Sequence, residues 1–118
     1  MALFLIIDED VDSGNLTRRR LSRRGHEVTA FTRTEDALKW LKMNAPDLIL
    51  VSAGKYGEKA GTYLNALEKA GIRGANIVLG TEEGTLRDVK KAYRQKVREV
   101  VIKTSDFEKL ENLVVLKR

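Results

Sequence analysis

The sequence predicts an α/β protein built on a doubly wound parallel sheet with helices packed on both faces. Five apolar segments alternate with amphipathic stretches along the 118 residues, an order typical of repeated strand–helix units. The segment from Pro46 to Ser52 places four consecutive apolar residues between turn signals, as expected of a strand buried on both faces. Ligands of such sheets bind beyond the carboxyl ends of the strands, so Ser52 occupies a position where a reactive group is expected.

The predicted strands are apolar runs flanked by glycine, proline or polar residues. In chain order they lie at residues 3–7, 28–31, 46–52, 77–81 and 100–102. Between them, side chains that recur at helical spacing are predicted to face the sheet. These inward positions are Leu16, Thr17, Leu21, Ala37, Leu38, Trp40, Leu41, Tyr63, Leu64, Leu67, Leu86, Val89, Ala92, Tyr93, Phe107, Leu110, Leu113 and Val114. The right-handed crossover rule allows the first and last helices to share one face of the sheet.

Helix ends are predicted from capping residues. Asp12 or Ser13 is expected to cap the first helix and Thr34 the second, because their side-chain oxygens can accept hydrogen bonds from free amides of the first turn. Residues 105–108 form a predicted capping box for the last helix. Gly25 is expected to end the first helix, since glycine readily adopts the left-handed conformation found at helix C-termini.

The composition indicates one soluble globular domain over residues 1–118, with 42% hydrophobic and 33% charged residues. No apolar run approaches the roughly 20 residues that span a bilayer. The apolar start runs directly into acidic residues and has no basic segment before it, so it is interpreted as a strand rather than a signal peptide. The lack of cysteine excludes disulfides and thiolate metal sites and favours a cytoplasmic location. The net charge of +5 permits an anionic partner without requiring one.

Chemically active side chains stand at the ends of four predicted strands. Asp8 and Glu9 follow the first strand, Ser52 and Thr81 end the third and fourth, and Lys103 follows the fifth. Because parallel strands end at one edge of a sheet, these groups are expected to surround one crevice. Such a set could hold a hard cation and a phosphoryl group. The simpler alternative is an ordinary salt bridge between Asp8 or Glu9 and Lys103.

At these positions the sequence resembles the receiver domains of two-component response regulators, of the chemotaxis type, over essentially its whole length. The matching segments are residues 5–9, 25–28, 36–38, 46–51 and 77–81, together with Lys103. The resemblance implies a flavodoxin-like fold with strand order 2-1-3-4-5 and a role in phosphorelay signal transduction. It also implies that Asp8 and Glu9 correspond to Mg²⁺ ligands, that Ser52 stands at the phosphoacceptor position, and that Thr81 and Lys103 correspond to residues contacting the phosphoryl oxygens.

The main departure from the family is Ser52, because receivers carry an aspartate there that accepts phosphate from a histidine kinase. A serine hydroxyl is a weak nucleophile unless a base activates it, and His26, the single histidine, belongs to the far end of the first helix. Thr104 and Val100 replace a proline and an aromatic residue that are common in the family, and the loop 53–61 also differs. The sequence therefore predicts a pseudo-receiver that is not phosphorylated on aspartate.

The missing carboxylate also affects the expected metal site. Two carboxylates face one lysine where a typical receiver has three, and a charge pair ~4 Å apart contributes up to roughly 4 kcal/mol at an effective dielectric constant near 20. Mg²⁺ binding at Asp8 and Glu9 is therefore expected to be weak or vestigial. Lys103 is expected to serve as their counter-ion, and no cofactor is expected to be required.

Basic residues crowd the first helix and the region of the fourth. They are Arg18, Arg19, Arg20, Arg23, Arg24, Lys90, Lys91, Arg94, Lys96 and Arg98. Most are interpreted as solvated, but Arg20 and Arg24 are expected either to reach Glu108 or Glu111 on the last helix or to bind a partner. Receivers signal through the face formed by the fourth helix, fifth strand and fifth helix, so that face is predicted to bind a histidine kinase or a downstream signalling protein. Nucleic-acid binding has no recognisable motif to support it, and no membrane contact is expected.

A small Mg²⁺-dependent phosphatase of the haloacid-dehalogenase type is the alternative function. The acidic run after the first strand suggests it, with Asp8 as nucleophile and with Ser52 and Lys103 supplying the hydroxyl and the lysine of later strands. The short chain and the lack of an obvious late acidic pair argue against it, so a non-enzymatic receiver is favoured. The sequence is compatible with a stand-alone protein and with one domain of a longer chain.

Overall fold

The computed structural model describes residues 1–117, with side chains up to Val114. Its strands are β1 (Leu3–Ile7), β2 (Glu27–Phe31), β3 (Leu48–Ser52), β4 (Ile77–Thr81) and β5 (Glu99–Ile102). Its helices are α1 (Val11–Arg23), α2 (Thr34–Leu41), α3 (Ala60–Lys69), α4 (Leu86–Tyr93) and α5 (Phe107–Lys117). Short 3₁₀ turns at Gly74–Asn76, Glu83–Thr85 and Arg94–Lys96 complete the connections.

The strands form one parallel sheet in the order β2-β1-β3-β4-β5, which confirms the predicted fold class and topology. Helices α1 and α5 pack on one face, and α2, α3 and α4 pack on the other. Each face has its own cluster of buried side chains, with Leu21 and Leu110 in one and Leu67 and Leu79 in the other. The first and last helices therefore share a face, as the crossover rule predicted.

β1 is buried on both faces of the sheet, and its side chains alternate between the two clusters. Phe4 and Ile6 pack in the cluster with α1 and α5, whereas Leu5 and Ile7 pack in the cluster with α2, α3 and α4. This alternation is the geometric consequence of a strand's two-residue period. A strand of this kind has to be apolar at every position, which is why its sequence lacks a polar stripe.

Polar side chains hold the start of β1. The Nδ1 atom of His26 accepts a hydrogen bond from the Ala2 amide at 3.1 Å, and Asp47 Oδ2 accepts one from the Leu3 amide at 2.8 Å. The His26 ring also meets Phe4 edge-on, with ring centroids 5.2 Å apart. His26 thus lies at the amino-terminal end of β1, far from the strand ends that carry Ser52, as the sequence predicted.

The predicted caps of the first two helices are wrong by a few residues. Asp10, and not Asp12 or Ser13, caps α1, because its carboxylate accepts a hydrogen bond from the Ser13 amide at 3.2 Å. Thr34 is already the first residue of α2 and makes no capping hydrogen bond. Gly25 ends the first helix as predicted, with a φ of 90°.

The inward faces of α1 and α4 also differ slightly from prediction. The buried face of α1 consists of Gly14, Thr17 and Leu21, and Leu16 is 38% exposed. On α4, Ala92 is exposed whereas its neighbours in the predicted stripe are at least half-buried.

The predicted capping box of the last helix does not form, because α5 begins at Phe107 and the residue before it is Asp106 rather than Ser105. The Asp106 carboxylate accepts a hydrogen bond from the Ile102 amide at 2.7 Å, which ties the helix entry back to β5. Leu110 and Val114 are buried as predicted.

An ion cluster joins the end of α1 to α5. Arg24 Nε donates to Glu111 Oε1 at 2.8 Å, and His26 Nε2 donates to Glu111 Oε2 at 2.7 Å. The predicted reach of Arg24 to α5 is therefore confirmed. Arg20 instead donates to the Thr104 carbonyl at 3.0 Å, and its guanidinium lies over the Phe107 ring. The Arg24 guanidinium, followed by His26, holds the pKa of the Glu111 carboxyl below its usual value.

Glu111→Gln is expected to destabilise the protein at neutral pH by about 0.5–1 kcal/mol, the range of partly exposed ion pairs. The folded-state pKa of Glu111 is depressed, so its contribution is complete above the unfolded value of about 4.3 and is lost as the pH falls through the folded pKa. Urea unfolding of both proteins at pH 7 and pH 3 measures the difference, with Glu68→Gln as an exposed control. A difference that persisted unchanged at pH 3 would point to packing rather than charge.

Candidate functional site

The carboxyl ends of β1 and β3 and the start of the segment after β5 surround an open pocket of about 390 Å³. The predicted residues Asp8, Glu9, Ser52 and Lys103 all line it. The topology therefore brings these groups together at one edge of the sheet, as the sequence predicted. Thr81 is the predicted site residue that does not line the pocket.

Lys103 makes the central contacts of the site. Its Nζ donates to Asp8 Oδ2 at 3.3 Å and to Ser52 Oγ at 3.1 Å. The side chain of Asp8 is 6% exposed and that of Lys103 is 14% exposed, so both charges are largely withdrawn from water. Asp8 also accepts a hydrogen bond from the Asp10 amide at 3.0 Å, through Oδ1. The contact predicted between Asp8 and Lys103 is thus present, and it includes the Ser52 hydroxyl.

Gly80 makes room for this arrangement at the end of β4. A Cβ at Gly80 would lie 2.9 Å from Lys103 Cβ and 3.2 Å from Leu50 Cδ1. A side chain there would push Lys103 away from β4 and out of its contacts with Asp8 and Ser52. Gly80 therefore leaves room for Lys103, which follows the end of the neighbouring strand β5.

Glu9 has different partners from the predicted one. Its Oε2 accepts a hydrogen bond from the Tyr63 hydroxyl at 3.3 Å and lies 3.4 Å from Lys59 Nζ. Glu9 is 60% exposed, so this pair is weakly stabilising. Burial, followed by the charge of Glu9, raises the pKa of the Tyr63 phenol. Lys103 therefore acts as counter-ion to Asp8 alone, and Lys59 takes that role for Glu9.

Thr81 is fully buried, and its hydroxyl turns toward the following turn. Its Oγ1 lies 2.6 Å from Thr85 Oγ1, and Thr85 in turn donates to the Glu82 carbonyl. In this structure Thr81 therefore does not face the pocket beside Lys103, and its correspondence to a residue contacting phosphoryl oxygens stays a prediction. The side chain stabilises the start of the turn after β4 instead.

The loop between β3 and α3, the start of α3 and the residue after β4 add pocket residues that the sequence did not predict. Lys55, Glu58, Lys59 and Tyr63 line the pocket beside Glu82. Glu58 accepts a hydrogen bond from the Tyr56 amide, and backbone hydrogen bonds from its own amide and that of Tyr56 lower its pKa. Gly54 and Gly57, at φ values of 86° and 82°, turn the loop back over the site. The glycine spacing after Ser52 was the available signal for such a turn.

Among the side chains that the structure describes, none is placed to act as a base for Ser52. Lys103, its hydrogen-bond partner, donates a hydrogen bond to the hydroxyl oxygen and is itself paired with Asp8. His26 lies at the other end of β1, hydrogen-bonded to Ala2 and Glu111. Among residues 1–114 no other contact to Ser52 Oγ exists that could remove its proton. The arrangement can hold the hydroxyl in place, but it does not activate it as a nucleophile.

The pocket also fits Mg²⁺ poorly. Asp8 and Glu9 are paired with Lys103 and Lys59, so each carboxylate already has a cationic partner. Within the part of the chain whose side chains are described, no group of three His, Cys, Asp or Glu residues could hold a metal ion. Hard cations favour several oxygen ligands, and here the third position is the Ser52 hydroxyl, whose oxygen accepts a hydrogen bond from Lys103.

The fold and the pocket together define a doubly wound α/β domain with an acidic residue, a hydroxyl and a lysine at its carboxyl edge. Residues 4–115 match the family model of the response regulator receiver domain. The chain therefore belongs to the response regulator receiver family and is a receiver domain of a two-component system.

Solved structures agree with this fold at low sequence identity. The receiver domain of the Francisella response regulator 1452 is 14% identical with a TM-score of 0.74, and the comparison covers 99% of this chain and 96% of that one. A response regulator receiver protein from Burkholderia phymatum is also 14% identical with a TM-score of 0.73, and the comparison covers 98% of this chain and 96% of that one. A sensor protein from Polaromonas sp. JS666 is 17% identical with a TM-score of 0.77, and the comparison covers 98% of this chain and 94% of that one.

A comparison with curated protein sequences gave no match. Within the described residues, no helix combines the length and apolar character needed to cross a membrane. The family match favours the receiver over the haloacid-dehalogenase type of phosphatase.

Proposed function

We propose that this domain is a cytoplasmic, chemotaxis-type pseudo-receiver: it signals by binding another protein, without aspartyl phosphorylation, without enzymatic activity and without a required cofactor. The observation that supports the proposal is the state of Ser52. The residue stands at the phosphoacceptor position, and its hydroxyl accepts a hydrogen bond from the Lys103 ammonium at 3.1 Å. A hydroxyl in that position has to lose a proton to attack phosphorus, and none of its contacts with the described residues can take one.

Acetyl phosphate with Mg²⁺ is expected to leave the native protein unmodified, because Ser52 lacks both carboxylate chemistry and a base. Intact mass spectrometry before and after incubation measures the outcome, with a phosphorylatable receiver as a positive control. A phosphoryl adduct located at Ser52 would overturn the pseudo-receiver proposal. The same samples, assayed with a generic phosphate ester and Mg²⁺, should show no turnover, whereas turnover lost in Asp8→Asn would support the phosphatase alternative.

The interface proposed for the partner is the face of α4, β5 and α5. β5 is an edge strand, so this face runs along one side of the sheet. Lys90, Lys91 and Arg94 lie on α4 and just after it, and none of them has a hydrogen bond or ion pair with the described residues through its side chain. Unpaired cations are free to meet a carboxylate-bearing partner, which supports a histidine kinase or downstream signalling protein as the occupant.

Reversing these charges in Lys90→Glu/Lys91→Glu/Arg94→Glu is expected to weaken binding to the partner protein and leave the thermal midpoint nearly unchanged. Exposed charges contribute little to stability but can control association. Binding and thermal unfolding are compared with a matched control, Lys39→Glu/Lys42→Glu/Lys69→Glu, which carries the same charge change elsewhere. Equal binding by the native protein and the α4 variant would exclude this face.

A further inference from the structure

A cleft at the amino-terminal end of β4 combines charge and apolar surface in a way that the receiver site does not use. It lies beside α3 and the turn Arg94–Lys96, at the opposite end of β4 from the Ser52 pocket, and has a volume of about 400 Å³. Its apolar lining consists of Leu64, Ile72, Ile77 and Tyr93. A volume of this size can accept a bulky side chain from a binding partner.

Gly74 fixes the shape of this region. A Cβ at Gly74 would clash with the carbonyl oxygen of Lys96, so the turn Gly74–Asn76 packs directly on the backbone of Lys96. The contact holds Arg73 close to Lys96. Arg73, Gly74 and Lys96 also line a second depression of about 490 Å³, which continues past Arg98. Since the two depressions share these residues, they adjoin each other on the surface, and together they are called the groove.

The groove is rich in unpaired positive charge. Arg73 and Lys96 are exposed and Arg98 is half-buried, and none of the three forms a hydrogen bond through its side chain or an ion pair with the described residues. Glu68 is the acidic residue among those that line it. Lys59 and Lys103, by contrast, are already neutralised by carboxylates. The groove therefore attracts anions, because its cations are not neutralised by carboxylates of the described residues.

Tyr93 adds a polar group to the apolar part of the cleft. A Cβ at Gly61 would lie 3.3 Å from the Tyr93 hydroxyl oxygen, so the hydroxyl lies over the bare backbone of α3. Within the described residues the hydroxyl has no hydrogen-bond partner. A phenol in this position can bond to the backbone of an incoming chain while its ring supplies apolar contact.

We propose that this groove binds an acidic segment of a partner protein that inserts one bulky apolar side chain between Leu64 and Tyr93. Its carboxylates meet Arg73, Lys96 and Arg98. The extent of the groove over two adjoining depressions favours an extended peptide over a compact anion. Single-stranded nucleic acid fits less well, because it needs exposed aromatic platforms and Tyr93, the aromatic residue of the lining, is half-buried.

The test uses a short fluorescein-labelled peptide of aspartates and glutamates around one central phenylalanine, measured by fluorescence anisotropy with the full chain. The peptide should bind the native protein, and this binding should weaken in high salt. Replacing its phenylalanine by alanine should weaken binding at least about tenfold. Arg73→Glu/Lys96→Glu should weaken binding by about tenfold or more. Asn65→Trp, an exposed substitution at the cleft, should weaken it by filling the apolar floor.

The matched control is Arg19→Glu/Arg23→Glu on α1, which has the same charge change on the opposite layer of the fold. The proposal holds if this control binds the peptide like the native protein. It is overturned by an absence of peptide binding, by equal losses in the two charge variants, or by unaltered binding to Asn65→Trp. Displacement of the peptide by an oligonucleotide of similar charge, with tighter binding of the oligonucleotide, would assign the groove to nucleic acid instead. These outcomes are separate from those at Ser52 and at the α4 face.

Discussion

Ser52→Asp is expected to tighten Mg²⁺ binding about tenfold or more and to permit slow phosphorylation by acetyl phosphate. The substitution adds a carboxylate beside Asp8, and a charge ~4 Å from the cation contributes up to roughly 4 kcal/mol at an effective dielectric constant near 20. A carboxylate also attacks a phosphoryl donor without first losing a proton. Mg²⁺ titration calorimetry and intact mass spectrometry measure the two effects, and the adduct should be a base-labile acyl phosphate.

Ser52→Asn is the matched control, because it has the shape of aspartate without the charge. It should gain neither Mg²⁺ affinity nor phosphate. If the aspartate variant bound Mg²⁺ no better than the asparagine variant, the ion pairs of Asp8 and Glu9 would be holding the pocket in a form that cannot accept a cation. Gain of affinity without phosphorylation would mean that the site binds the ion but does not position the donor.

Lys103→Met is expected to lower the free energy of unfolding by about 2–3 kcal/mol. The substitution leaves the Asp8 carboxylate buried with the Asp10 amide as its remaining partner, and breaking a buried pair by removing one member costs about 3–5 kcal/mol. The expected loss of about 2–3 kcal/mol is smaller than that general range because the Asp8–Lys103 pair borders an open pocket of about 390 Å³ that water can enter. Urea denaturation at neutral pH measures the change.

The double variant Asp8→Asn/Lys103→Met separates the charge from the packing. The asparagine amide introduced at position 8 keeps an oxygen for the Asp10 amide and carries no charge, so the double variant should recover at least about 1 kcal/mol relative to Lys103→Met. A double variant less stable than Lys103→Met would mean that the methylene stem of Lys103, rather than its ammonium, stabilises this edge of the sheet.

The fold was accessible from sequence because its pattern is carried by many residues at once. The apolar runs, their alternation with helical spacing and the crossover rule each constrain the topology, so errors of a few residues at Asp12, Thr34 or Ser105 do not alter it. Helix caps depend on one or two hydrogen bonds. They therefore change with small shifts of a helix start, as the capping of α1 by Asp10 instead of Ser13 demonstrates.

The site was accessible only in part, because the topology determines where a strand ends but not where each side chain points. Parallel strands bring Asp8, Ser52 and Lys103 to one edge regardless of detail. The direction of Thr81 depends on a hydroxyl in the next turn, and the partner of Glu9 depends on how the loop after β3 folds back. Neither relation has a fixed spacing in the sequence.

Burial of β1 on both faces has a consequence for strand register. In a sheet with one solvent-exposed face, a slip of one residue exposes apolar side chains and is opposed by the hydrophobic effect. In β1 the same slip would exchange Phe4 and Ile6 with Leu5 and Ile7 between the two cores and expose no apolar face. Hydrophobicity alone therefore ensures that the strand is buried, but discriminates weakly between the correct alignment and its neighbours.

The correct alignment of β1 is instead distinguished from a slipped one by side-chain size and by polar contacts at the ends of the strand. The Phe4 ring has to meet His26 edge-on, and the Leu3 amide has to meet Asp47 Oδ2. At the other end, the Asp8 amide donates to the Phe31 carbonyl while its side chain reaches Lys103. A slipped strand would lose the ring contact and these hydrogen bonds together. The few polar residues at the two ends of β1 therefore select one alignment of a uniformly apolar segment.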